Sequence, residues 1–196
     1  MNTKKGIQIL KNYGFFVKIL SFCIFLLYPY VKNNYQRKRV TTLSPELQNV
    51  INWFLSKDSM SPKKLQKLLY YAYSWTLTLE NEDSEELENR LFEEDFEAWV
   101  HGPVIPDVYF EYRNYGYQNI PKKDFSPDLP EEIEDILEQV WEEYGEFTGN
   151  ELETITHKED PWRNARKGYN PIERCNEKIS DIDIFNYYIQ QVEYID

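Results

Sequence analysis

The chain has 196 residues, a net charge of −12, 7 glycines and an aromatic content of 16%. That aromatic bulk is enough to build a core and excludes a disordered chain, while the scattered glycines exclude a Gly-rich phosphate loop. The length suits one domain of the usual ~100–200 residues plus an extension.

The charge is unevenly spread. Residues 1–42 hold eight bases (Lys4, Lys5, Lys11, Lys18, Lys32, Arg37, Lys38 and Arg39) and no acid. All 34 acids therefore fall in the remainder with the other 14 of the 22 bases, a net of −20 there. So acidic a domain repels phosphate backbones, so no nucleic acid is expected as its ligand; a basic protein partner suits it better. The plainer reading is a solvated surface that keeps the protein in solution. Cys23 and Cys175 form no disulfide framework and read as free thiols of a reducing compartment.

The first element is a basic N-terminal extension, residues 1–42, with a hydrophobic segment at 14–31 (GFFVKILSFCIFLLYPYV). Three readings compete for it. It is close to the ~20 apolar residues of a single membrane anchor. It resembles a signal peptide but lacks a small-residue cleavage site. Or it is a mis-assigned start of the reading frame, which the abrupt change in composition near Ser44 favours. An anchor flanked by these bases would leave the domain in the cytoplasm, the location expected without an anchor as well.

Residues 43–196 read as a compact, mainly α, multi-helix domain with a small β element. Ser44-Pro45 and Ser61-Pro62 each place an N-cap before a proline at the first helical position. The first helix then carries Leu47, Val50, Ile51, Phe54 and Leu55 at helical spacing. The second carries a stripe of Leu65, Leu68, Leu69, Ala72, Trp75, Thr76 and Leu79, with its lysines in water and its tyrosines at the margin. Alternation over 92–100 predicts a strand, and Gly102, Pro103 and Pro106 force a turn after it. Residues 107–115 fit one or two helical turns; 81–90 and 116–130 read as loops. A helix opened by Pro130 turns Ile133, Ile136, Leu137, Val140, Trp141 and Tyr144 inward and a row of acids outward. Thr148 with Glu151 fits a capping box. Asp160-Pro161 starts a short helix, and Ser180 with Asp183 caps a last one carrying Phe185, Tyr188, Ile189, Val192 and Ile195.

Catalytic signals are weak, and no enzyme is expected. His101 and His157 are the only histidines, too few with two distant cysteines for a zinc pattern, so no metal and no cofactor is expected. A Cys175/His157 hydrolase dyad has no local support. Three segments are more specific than a core requires: Lys64-Leu65-Gln66-Lys67-Leu68-Leu69-Tyr70-Tyr71-Ala72, Glu97-Ala98-Trp99-Val100-His101-Gly102-Pro103-Val104-Ile105-Pro106, and Thr156-His157-Lys158-Glu159-Asp160-Pro161-Trp162. Their plainer readings are an amphipathic helix, a rigid strand-to-helix corner, and a helix end whose His157 bonds a nearby carbonyl.

Together these segments resemble the Panacea domain, which includes SocA-like antitoxins and proteins once called phage-associated GepA-like. That family's pattern is a KLQKLLYYA-type helix, an EAW-x-HGPV-x-P-x-VY stretch and a TH-x-x-x-PW segment. The carried-over positions are Lys64, Leu65, Gln66, Lys67, Leu68, Trp99, His101, Gly102, Pro103, Pro106, Thr156, His157, Pro161 and Trp162, within a resemblance spanning about 50–193. It implies a helical fold with a small β element. It implies an antitoxin of bacterial origin that neutralises a cognate toxin by direct binding, the toxin being encoded by an adjacent gene. One branch implies a protease adaptor delivering its toxin to a AAA+ protease. Because aromatics anchor interfaces, Tyr70, Tyr71, His101, Tyr109 and Tyr112 are the partner-contact candidates. The competing reading is a transcription regulator, with 44–56 and 61–80 as a helix-turn-helix-like pair, Lys63, Lys64 and Lys67 as its bases, and 1–42 as a basic arm.

Overall fold

A computed structural model describes residues 43–124 and 129–192. The hydrophobic segment 14–31 and Ile195 lie outside the described residues. Among the described residues, no helix is long and apolar enough to cross a membrane.

Seven α-helices and one two-stranded sheet make up the described part. Helix α1 (Pro45–Lys57) starts where the Ser44 hydroxyl accepts from the Leu47 N–H at 3.2 Å. Ser44 also donates through its backbone N–H and its hydroxyl to the two carboxylate oxygens of Glu94, at 2.8 and 3.0 Å, which ties the start of α1 to the loop before the sheet. The expected inner face of Leu47, Val50, Ile51, Phe54 and Leu55 is buried, and Trp53 joins it.

Helix α2 (Pro62–Leu79) is capped the same way, by Ser61 on the Lys64 N–H. It does not have the single apolar stripe expected of it. Every residue from Leu65 to Thr78 except Trp75 is buried, because α1, α3, α4, α5, α7 and β2 all pack around it. Lys67, Tyr70 and Tyr71 are core residues, and Leu79, expected inside, is exposed. A helix enclosed in this way has no free face to lay in a DNA groove, and this removes the structural basis of the helix-turn-helix reading.

The sheet is a short hairpin of β1 (Glu97–Trp99) and β2 (Gly102–Val104), antiparallel with Ala98 opposite Pro103 and Trp99 opposite Gly102. The strand expected over 92–100 is therefore three residues long. Its earlier part has no strand beside it, though Phe92 and Phe96 still enter the core. On the outer edge of β1 the chain returns late: the Ala98 N–H donates to the Glu177 carbonyl at 2.9 Å, and the Ile179 N–H to the Phe96 carbonyl at 2.8 Å. Pro106, at the first position, opens α3 (Pro106–Tyr112), which runs into a 3-10 turn at Arg113–Tyr115. Inside the long loop that follows, Ile120 is buried and pairs with Met60 through two backbone hydrogen bonds of 2.8 and 3.2 Å.

Helix α4 (Glu131–Tyr144) buries Ile136, Leu137 and Val140 and half-buries Ile133, Trp141 and Tyr144. Its acids, among them Glu131, Glu132, Asp135, Glu138, Glu142 and Glu143, are exposed. Helix α5 (Gly149–Thr156) opens with the complete capping box of Thr148 and Glu151. Helix α6 (Asp160–Ala165) follows after three residues. Helix α7 (Asp181–Tyr188) is capped by Ser180 and ends sooner than the pattern over 185–195 suggests, passing into a 3-10 turn at Ile189–Gln191.

Candidate functional site

The three motif segments meet at one junction, with α2 as its floor. Gln66 reaches from α2 to the chain just after β2 and holds Ile105 at both backbone groups. Its amide nitrogen donates to the Ile105 carbonyl at 3.0 Å and its amide oxygen accepts from the Ile105 N–H at 2.9 Å. One turn position on, Lys67 Nζ donates to the Pro103 carbonyl at 2.8 Å. Above it Gly102 sits at φ +93, and a Cβ there would lie 2.8 Å from Lys67 Nζ and 2.9 Å from Thr156 Oγ1. Gly102 is thus required twice, by its backbone angle and by the two side chains pressed against it. Thr156 in turn donates to the Glu153 carbonyl at 3.0 Å.

Burial pulls the Lys67 ammonium down to a pKa of about 7, with nearby Lys63 adding to the effect and Glu153 opposing it. Glu153 is the electrostatic hub of the junction. Burial alone would raise its carboxyl, but Lys63 at 2.6 Å and His101 at 2.8 Å leave it below its ordinary value. His101 itself is exposed. His157 does not bond a neighbouring carbonyl as expected. It stacks on Trp162 with centroids 4.0 Å apart and planes at 14°. Its Nε2 is buried without a partner, and burial lowers its pKa. The Trp162 indole donates to the Trp99 carbonyl at 3.0 Å, closing the third segment onto the second.

Two functional-looking residues escaped the sequence reading. Glu159 is buried, and both its oxygens are held, by the Tyr71 hydroxyl at 3.1 Å and the Tyr188 hydroxyl at 3.0 Å. Burial raises its pKa to about 7 even though the two tyrosines oppose the shift. Arg166, also buried, donates to the carbonyls of Ala98 (2.8 Å), Asn170 (3.1 Å), Pro171 (3.3 Å) and Glu173 (2.8 Å). Neither stands out in a chain so rich in charge. For Glu159 one signal was available, its place inside the third motif beside Asp160-Pro161.

The partner-contact candidates divide sharply. Tyr70 and Tyr71 are fully enclosed and Tyr112 nearly so. Tyr71 stacks on Tyr144 at 3.9 Å. None of the three presents a surface to a partner: Tyr70 and Tyr71 lie on α2, which is packed on all sides, and Tyr112 is on the buried side of α3. His101 and Tyr109 do reach the surface, and Tyr109 lies edge-on to Trp99 at 5.0 Å. Of the remaining motif residues, Leu65 and Leu68 are core. Pro161 is buried, and Pro106 sets the start of α3. Half-buried Lys64 lies over the Trp141 ring at 5.4 Å and donates to the Gly145 carbonyl. Among the described residues no three His, Cys, Asp or Glu side chains gather as a metal site would need. The Cys175 thiol donates to the Ala165 carbonyl. The junction is therefore a braced corner, which holds the β1–β2 turn and α3 in fixed relation.

The family model described as "Antitoxin SocA-like, Panacea domain" matches residues 65–163, half of the chain, and takes in all three segments apart from Lys64. No curated protein and no solved structure matches the chain.

Proposed function

Since the chain belongs to the SocA-like antitoxin family with a Panacea domain, we propose that it neutralises a cognate toxin, the product of an adjacent gene, by direct protein–protein binding, without chemistry of its own. The observation that carries this reading is the junction. The three family segments converge on a rigid corner whose buried polar groups brace backbone, and whose outward residues are aromatics and an imidazole. A preorganised aromatic surface is what tight binding uses, since it leaves little freedom to lose on association. The exposed acids of α4 supply a field that attracts a basic partner and speeds encounter.

The test is co-expression of the full chain with the product of each neighbouring gene, scored by growth and by co-purification. Restored growth together with a stable complex is the expected result. Unrestored growth with both neighbours removes the reading. Restored growth that disappears when the host's AAA+ proteases are inactivated, with toxin levels rising, identifies delivery to a protease in place of sequestration.

A further inference from the structure

A groove of roughly 700 Å³ opens beside the junction, between the β1–β2 turn, α3 and the loop at 170–176. Trp99, Val100 and Phe110 line it on one side and Ile172 and Arg174 on the other. Ile172 is 88% exposed. It occupies the third place of a tight turn, Asn170-Pro171-Ile172-Glu173, closed by the Glu173 N–H on the Asn170 carbonyl at 3.0 Å. Gly, Asn or Asp usually fill such loop tips, whereas a branched apolar side chain there gains nothing from folding. Yet the turn is firmly held. Arg166 grips three of its four carbonyls from below, and the Glu173 carboxylate accepts from the Asn170 N–H at 3.0 Å. The chain thus fixes an apolar side chain in solvent beside an apolar groove, an arrangement that serves association.

We propose that this groove docks a partner segment that carries an apolar side chain for the Trp99–Phe110–Ile172 walls and a carboxylate for Arg174. Charge selects the occupant. The domain has a large excess of acids, yet no described carboxylate pairs with Arg174, and Arg113, in the 3-10 turn after α3, lies over the Phe110 ring at 5.2 Å. The one acid lining the groove, Glu97, already accepts the Trp99 indole at 2.7 Å. A partner's acid-bearing anchor entering here and its basic surface meeting the α4 acids are attractions of opposite sign at two places, and they fix one orientation of docking. Identifying the segment as part of the toxin rests on the antitoxin reading; the groove does not.

The test is panning of displayed random short peptides on the full-length chain, with Ile172→Asp and Arg174→Glu as parallel targets. Both positions are exposed, so melting temperatures should match the parent. The expected result is enrichment of peptides pairing an apolar residue with Asp or Glu. Their binding should weaken by at least about tenfold in each variant and be largely kept in Arg174→Lys. No enriched class, or one that binds the variants equally well, overturns the proposal. The growth assay separates the two ideas. Rescue that persists in both variants removes the toxin as the groove's occupant and leaves the antitoxin reading. Peptide selectivity without rescue by the parent leaves the groove and removes the antitoxin reading.

Discussion

Lys67 fills the space that a side chain on residue 102 would need: its Nζ and Cε both lie 2.8 Å from where the Gly102 Cβ would stand. A motif lysine and a motif glycine are thus a single packing unit, built from two segments 35 positions apart in the chain.

This pairing has an internal control. Gly168 has nearly the same backbone angle, φ +90 against +93, but nothing within 4 Å of its would-be Cβ. Gly168→Ala should cost only the left-handed strain, ~1–2 kcal/mol. Gly102→Ala should cost that plus roughly 1–3 kcal/mol for overpacking. Urea unfolding of the two variants measures the difference; equal losses would mean that Lys67 moves aside freely.

Gln66 behaves as a strand partner supplied by a side chain. Gln66→Met leaves the Ile105 N–H buried and unmet, while the Ile105 carbonyl keeps the Tyr109 N–H at 3.1 Å. At ~1–3 kcal/mol for one stranded buried group, a loss of about 1–3 kcal/mol is expected. A loss under about 1 kcal/mol would show that the segment after β2 relaxes to solvent at low cost.

Two buried titrating groups shape the pH profile in opposite ways. Glu159 has a folded pKa of about 7 against an ordinary 4.5. Its protonated form is favoured by folding, so its stabilisation is complete below 4.5 and is lost as pH rises to about 7. The cost is on the order of 3 kcal/mol, at 1.36 kcal/mol for each pH unit of difference. Lys67 has a folded pKa of about 7 against an ordinary 10.5. The unfolded chain holds the proton longer, so stability rises between pH 7 and 10.5. Chemical unfolding across pH should therefore show a falling limb that Glu159→Gln flattens and a rising limb that Lys67→Met flattens. Unchanged limbs in the variants would place these titrations elsewhere.

Arg166 organises the loop that bears Ile172. Arg166→Met removes four charged hydrogen bonds but strands chiefly the Ala98 carbonyl, since Asn170 keeps the Glu173 N–H and the turn is exposed. At ~1.5–3 kcal/mol for a hydrogen bond to a charged group, a loss of about 2–4 kcal/mol is expected. Limited proteolysis should then cut first at 170–174, and faster there than in the parent. Arg166→Lys, with one compact ammonium, should restore only part of the protection.

Much of this protein was legible in short stretches of sequence, because the causes are local. Ser44, Ser61, Thr148 with Glu151, and Ser180 each cap the helix they precede. A cap needs only a hydroxyl or carboxylate within three residues of a free N–H. The apolar spacing of α1 and α4 likewise marks their buried faces, since each meets the core on one side. The motif order was enough to suggest the family that residues 65–163 match.

Surroundings decided the rest. The pattern of α2 could not show that six elements enclose it, and so placed Lys67, Tyr70 and Tyr71 at a surface they do not reach. The strand over 92–100 is three residues long because extended backbone becomes a strand only where a neighbouring strand runs beside it, and β2 runs beside Glu97–Trp99 alone. Glu159 and Arg166 look like any surface charge until Tyr71, Tyr188 and distant carbonyls close around them. Period and caps report what a segment does to itself. Burial, pKa and binding surface depend on residues far away in the chain, and only the tertiary structure brings those together.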